Sequence, residues 1–277
     1  MAHNHDASAW DTHSDRWASS VQAVTRAPCK EMLAMTTSLS PITKTSIVFD
    51  NGAGSGMQTS LVLEEYPGTQ ITATDVSSGM IDNLKKNQWP TVTAHVADAT
   101  DLESAGLKDK SFTHSMGTFF IPFVSDPDKV VREMARVTKP GGVVGLATWH
   151  KDTPSWSSPL QIAVRQVMDP KWTAPEVFHP ATTDPDDVRK MFEKAGLEKI
   201  QVKVFDCPHP QKESVDVAVE EFFNMGNPSV KILLQDFNKE QITKLKPAFA
   251  KAYAEVYDGV KKPQKERAVL IVGRVAS

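Results

Sequence analysis

Apolar and polar positions alternate along this chain in two rhythms. Residues 8–37 carry Trp10, Trp17, Val21, Val24, Met32, Leu33 and Met35 at helical spacing. The apolar run 46–50 then predicts a buried strand, followed by a glycine-rich turn and a helix that Pro67-Gly68 ends near Tyr66. Residues 71–74 predict a second strand, and Ser77 is placed to cap a helix over about 78–87. Strands at 92–96 and 112–116 follow, then a helix over 127–137, a turn at 139–142 and a fifth strand at 143–149. Strand and helix alternating in this way predict an α/β fold with a parallel sheet covered on both faces.

The rhythm changes after Trp149. Residues 150–183 are rich in proline and tryptophan around one short helix. A helix over 185–195 is expected to end at Gly196, a sixth strand spans 199–205, and helices at 215–225 and 240–257 precede a last strand at 268–275. Those two helices read as an insertion that caps a site. The expected organisation is one domain, 1–277, with an N-terminal helical lid (1–45), a core (46–150), and a segment (151–277) holding cap insertions and the last two strands.

Composition narrows the function. With 277 residues, 40% apolar and 23% charged, the chain reads as an ordinary globular protein. It has no apolar run of about 18 residues, so no membrane span is expected. The start MAHNHDASAW does not read as a secretory signal, His3 and His5 within it read as tail, and a cytoplasmic setting is expected. Cys29 and Cys207 lie far apart without metal-ligand spacing, so no metal is expected and both read as packing thiols. The net charge is −3, and the single basic cluster (Lys261, Lys262, Lys265, Arg267) is broken by Pro263 and Glu266. It reads as a solvated turn, which disfavours a nucleic-acid partner. A small-molecule substrate and a monomer or homodimer are the expected partners.

The chemistry concentrates at three strand ends. Asp50-Asn51-Gly52-Ala53-Gly54-Ser55-Gly56 joins strand one to helix one, where glycines permit a tight turn and close approach of backbone to a ligand. The next helix aims its N-terminal N–H groups at that ligand. Nicotinamide enzymes use a similar device with G-x-G-x-x-G, whereas this turn reads G-x-G-x-G. Asp75 ends strand two, where a carboxylate can accept hydrogen bonds from both ribose hydroxyls, and Asp98 after strand three can accept from an adenine amine. Agreement at three successive strand ends outweighs any one of them.

VFDNGAGSG resembles motif I of the class I S-adenosylmethionine-dependent methyltransferases of type 11. ATDVSSGM resembles their following acidic motif, VADATDL their adenine-contacting motif, and FTHSMGTFFIPFVSDPDKVVREMARVTKPGGVVGLATW their fourth strand through the fifth. The resemblance covers about 46–149. It implies a Rossmann-like seven-stranded sheet, mostly parallel with the last strand antiparallel, helices on both faces and a helical cap. It implies S-adenosyl-L-methionine as cofactor and S-adenosyl-L-homocysteine as product. Asp50 and Asn51 belong to the motif; Gly52 and Gly54 would lie under the methionyl part, and Asp75 would hold the ribose. Val76 and Met80 would sandwich the adenine, Asp98 and Ala99 would read its edge, and Met116 and Gly117 would face the transferring methyl. D-N-x-x-G-x-G, D-x-S-x-G-M and T-W after strand five are also similar to fungal small-molecule methyltransferases, such as the gliotoxin-type dithiol S-methyltransferases. Secondary metabolism is the setting that likeness implies.

Methyl transfer to a heteroatom (O, S or N) is the expected reaction, and the protein mostly aligns acceptor and methyl. A hydroxyl or amine acceptor gains from a general base. His150, just after strand five, is the candidate; His114 reads as a satisfied strand residue and His179 lies in the cap. Trp17 is a candidate lid residue and Trp10 a packing residue on the same helix face. Phe119, Phe120, Phe123, Trp149 and Trp156 are candidates for an apolar acceptor pocket. The alternatives are a protein that binds the cofactor without methylating, such as a pericyclase or a regulator, and a nicotinamide oxidoreductase.

Overall fold

A computed structural model describes residues 14–153, 157–207, 209–224 and 227–277, with side chains from residue 23 onward except Pro228. The elements in chain order are α1 (Ser14–Leu39), β1 (Ile47–Asn51), α2 (Met57–Glu65), β2 (Gln70–Asp75), α3 (Ser78–Lys85), β3 (Val92–Val96), β4 (Phe112–Thr118), α4 (Pro127–Val137) and β5 (Thr138–Trp149). They continue with α5 (Ser157–Val167), α6 (Pro185–Lys194), β6 (Leu197–Cys207), α7 (Val215–Asn224), α8 (Pro228–Leu234), α9 (Lys239–Tyr257) and β7 (Glu266–Val275). The seven strands form one sheet in the order β3-β2-β1-β4-β5-β7-β6. β1 to β5 pair in parallel, while β7 runs antiparallel to both β5 and β6. This is the α/β arrangement expected, antiparallel last strand included.

Local chemistry explains the element ends. Asp126 caps α4 by accepting from Lys129 N, with Pro127 preset for the first turn. Along α4, Val130, Val131, Met134 and Val137 form a buried stripe against the sheet. Burying each such side chain contributes about 1.5–3 kcal/mol relative to exposure. Ser77 caps α3 through Met80 N, and Gly196 follows α6 in the left-handed conformation at φ 76°.

One expectation needs correction. Lys139-Pro140-Gly141-Gly142 is not a turn before β5 but a bulge within it: Phe112 pairs with Thr138, and the next pair is His114 with Val143. A Cβ on Gly142 would lie 2.6 Å from Thr113 O, so only glycine lets the strands meet there. Within the segment expected as a lid, Val24, Cys29, Met32 and Leu33 of α1 pack with Val48, Met116 and Leu270. Lys261, Lys262 and Lys265 are exposed in the turn before β7, as expected, while Gln264 and Glu266 among them are buried. The cap also holds a helix missing from the sequence reading, α8, and its own apolar core joins α5, α7, α8 and α9 through Leu160, Phe222, Leu233 and Phe249. Among the described residues, no helix is long and apolar enough to cross a membrane.

Candidate active site

Chain order reverses at β1, with β2 and β3 on one side and β4 and β5 on the other. Ligands of doubly wound sheets bind at such a switch point, beyond the carboxyl ends of the strands. A cavity of about 560 Å³ lies there and runs from the glycine turn to the cap. Gly52, Gly54 and Gly56 take left-handed φ values of 65°, 55° and 97°, a conformation that glycine adopts without steric cost. A side chain on Gly52 would strike the ring of Phe120.

The carboxylate of Asp75 is fixed by the turn it serves. Oδ2 accepts from Gly54 N at 2.9 Å and Oδ1 from Ser77 N at 2.9 Å. Each carboxylate oxygen can accept a second hydrogen bond, so this geometry suits a vicinal diol. Val76 beside it is a large apolar residue left 46% exposed at the cavity wall, and Met80 stands nearby. Asp98 accepts from Thr100 N and Thr100 Oγ1, both at 2.8 Å, and lines the cavity with Ala99.

Asn51 carries an observation that points directly to a ligand. It is buried at the cavity wall; Oδ1 accepts from Thr74 Oγ1 at 3.1 Å, while Nδ2 has no hydrogen-bond partner among the described residues. An unmet buried donor costs about 1–3 kcal/mol, and a polar ligand group would relieve that cost. The residues present therefore fit a cofactor with a diol, a flat base and a polar tail.

Not every expected site residue reaches the cavity. Asp50 lies beneath the turn, with Oδ2 accepting from Thr59 Oγ1 at 2.6 Å, and burial pushes its carboxyl up to about 7. Met116 points into the core, where its sulfur accepts from Gln58 Nε2 at 3.4 Å. Gly117 is covered by the Phe120 ring, 2.5 Å from where a Cβ would stand. The cavity wall is made instead by the next residues, Thr118 and Phe119. Phe119 holds a positive φ of 60°, uncommon for a bulky residue, and packs on Trp149 with ring centroids 4.3 Å apart. Phe120 and Phe123 also line the cavity.

His150 is absent from the described wall. Its Nδ1 accepts from Asp152 N at 3.2 Å and stands 3.3 Å from Asp152 Oδ2, while burial and the Arg267 charge hold its pKa below the usual value. His114 is satisfied as expected, with one ring nitrogen 2.9 Å from Ser40 O and the other 2.8 Å from Thr113 Oγ1. The ring of His179 caps a short turn at 180–182 by accepting from Ala181 N. Trp10 and Trp156 lie outside the described residues, as does the side chain of Trp17, whose backbone is in α1. The sequence reading missed the polar end of the cavity under the cap, where His209, Lys212, Glu221, Tyr253, Gln264 and Glu266 gather. Lys212 and Glu221 form an ion pair there, and Gln264 donates to Tyr253 Oη at 3.3 Å.

The sheet order and the switch-point cavity define the fold of class I methyltransferases. Residues 49–146 match the methyltransferase domain family. Methyltransferase ucsB of an Acremonium species is 24% identical over 70% of this chain and 70% of its own length. Methyltransferase tpcH of Aspergillus fumigatus is 26% identical over 60% of this chain, which spans 63% of tpcH. The fold is shared with Haemonchus contortus phosphoethanolamine N-methyltransferase 2, solved with S-adenosylhomocysteine, at TM-score 0.53, 17% identity, 89% of this chain and 52% of that one. Residues 49–146 thus carry a methyltransferase domain, in a chain that has the class I methyltransferase fold.

Proposed function

We propose that the protein transfers a methyl group from S-adenosylmethionine to a heteroatom (O, S or N) of a small-molecule metabolite and releases S-adenosylhomocysteine. The observation that carries this reading is a cavity continuous from the glycine turn to an aromatic chamber under the cap. In this reading Asp75 holds the ribose hydroxyls, Val76 and Met80 enclose the adenine, and Asp98 with Ala99 meets its edge. Gly52 and Gly54 let backbone approach the methionyl part, and the Nδ2 donor of Asn51 meets one of its polar groups. The cofactor supplies an electrophilic methyl on a sulfonium sulfur. Thr118, Phe119 and Trp149 bound the acceptor, and the cap keeps water from the reacting centre. The domain then divides into the core 46–150, to which α1 adds a wall, and a segment 151–277 that supplies the cap. A role in secondary metabolism rests on the likeness to ucsB and tpcH.

The test is calorimetric titration with S-adenosylmethionine, S-adenosylhomocysteine and NAD, followed by mass spectrometry of a panel of phenol, thiol and amine acceptors. Micromolar binding of the two sulfur compounds, no binding of NAD, and products heavier by one methylene support the reading. Binding without any methylated product would favour a protein that binds the cofactor for another purpose. Preference for NAD would overturn it.

A further inference from the structure

We propose that Glu266 is the catalytic base of this site and that the acceptor is a neutral aromatic hydroxyl compound rather than a carboxylate. The inference rests on the methyltransferase reading and specifies the acceptor side of the same cavity.

The topology places Glu266 on that side. β7 runs antiparallel to β5, with Ala268 opposite Trp149 at the carboxyl edge of the sheet. Glu266 lies two residues further out, and period-two alternation puts it on the face of Ala268 and Leu270. That face packs against Val24 and Met32 of α1, and Val24 also lines the cavity. Asp75 and Asp98 occupy the opposite flank, at the ends of β2 and β3. From the glycine turn at β1, the steps to β4, β5 and β7 therefore lead toward Glu266, about 4.8 Å each.

Chemistry selects the acceptor class. Glu266 is only 4% exposed and reaches the cavity wall among aromatic side chains, including Trp149, Phe222, Phe249 and Tyr253. The phenol and the thiol beside it stay protonated and do not accept the proton. Burial pushes the phenol of Tyr253 up to about 12, so it stays a neutral hydroxyl. Cys207 faces Glu266 across the β6–β7 ladder, and burial pushes its thiol up to about 12, with Glu266 adding to the rise. His209 is held below its usual value by burial, and its Nδ1 stands 3.1 Å from Pro210 O. Lys212 is paired with Glu221. Arg267, the next residue along β7, turns to Asp152 at 2.7 Å and Asp206 at 3.5 Å.

On the acceptor side the charged residues described along the wall are Glu221 and Glu266 against Lys212. That balance repels an acceptor carboxylate and favours a neutral donor. In the reaction a lone pair of the acceptor oxygen forms the new O–C bond. The S–C bond breaks with its electron pair left on sulfur, and the hydroxyl proton passes to the Glu266 carboxylate.

The experiment compares wild-type chain, Glu266→Gln and Glu266→Asp, each with S-adenosylhomocysteine affinity as the control for an intact fold. Binding of 2-naphthol and 2-naphthoate is measured on the S-adenosylhomocysteine complex, and formation of 2-methoxynaphthalene is measured in single turnovers with S-adenosylmethionine. Wild type is expected to prefer naphthol over naphthoate about tenfold or more, and Glu266→Gln to lose most of that preference. The single-turnover rate should fall about 10²–10⁴-fold in Glu266→Gln, the usual contribution of a positioned base. Glu266→Asp should recover part of the rate, and the rate of Glu266→Gln should climb with pH as free naphtholate accumulates. Equal binding of naphthoate, failure of naphthol to bind, or an undiminished rate in Glu266→Gln would overturn the proposal. An undiminished rate leaves the methyltransferase function standing. Naphthol selectivity that depends on Glu266, without any methyl transfer to any acceptor, would instead remove the proposed reaction and with it the base role.

Discussion

At the scale of single residues, two carboxylates of one motif region do opposite things. Asp75 is locked by two backbone N–H groups at the cavity wall, poised for a neutral diol. Asp75→Ala is expected to weaken S-adenosylmethionine binding by about 1.5–3 kcal/mol through lost charge-assisted hydrogen bonds, which calorimetry reads directly. Asp50 is buried beneath the turn, where desolvation lifts its carboxyl from 3.8 to about 7 against the pull of Thr59. The folded state thus holds this proton more tightly than the unfolded chain does. The cost of ionising it appears as pH rises from about 4, grows until about 7 and is constant above. At roughly 1.4 kcal/mol per unit, the full cost is on the order of 4 kcal/mol. Asp50→Asn should therefore gain stability over wild type in urea unfolding at pH 8, and the gain should fade by pH 4.

The elements show how one small residue sets the distance between layers. Gly145 in β5 lies under α1: a Cβ there would stand 2.7 Å from Thr36 Oγ1 and 2.8 Å from Met32 Sδ. Thr36 in turn donates to Met32 O at 2.8 Å, so the helix cannot yield by turning one side chain alone. Gly145→Ala should push α1 outward at a cost of about 1–3 kcal/mol, the range for overpacking. Because Ala23, Val24 and Thr25 of α1 line the cavity, cofactor affinity should fall along with the unfolding midpoint. A change in neither would mean that the helix is not seated as described. Most of these elements were legible in sequence because they rest on local rules. Ser77 and Gly196 mark their boundaries by capping chemistry, and β3 and α4 have the predicted bounds. The bulge at 139–142 was not legible, since K-P-G-G has the composition of a turn and only pairing with β4 makes it strand.

For the whole molecule, a Rossmann-like sheet and a helical cap with its own core share one cavity. Phe249 of α9 stacks on Phe222 at 4.4 Å in the middle of that cap core and is 1% exposed. Phe249→Ala should cost about 3–5 kcal/mol. It should also weaken acceptor binding, while S-adenosylhomocysteine affinity in the folded fraction stays close to wild type. Loss of both affinities together would show that the cap and the cofactor site form one energetic unit.

By itself the sequence determined the alternation of strands and helices, the glycine turn and the acidic residues at the ends of β2 and β3. These depend on spacing and backbone freedom within a few residues. The expected fates of Met116, Gly117 and His150 depended on where side chains point after packing, and local pattern carries no such information. The Phe120 ring covers Gly117, and His150 turns to Asp152. The tertiary structure alone decided that Glu266, embedded in a run that reads as solvated, is buried under the cap. Its surroundings come from α7, α9 and β6, which are distant along the chain and meet only when the sheet edge and the cap close on each other.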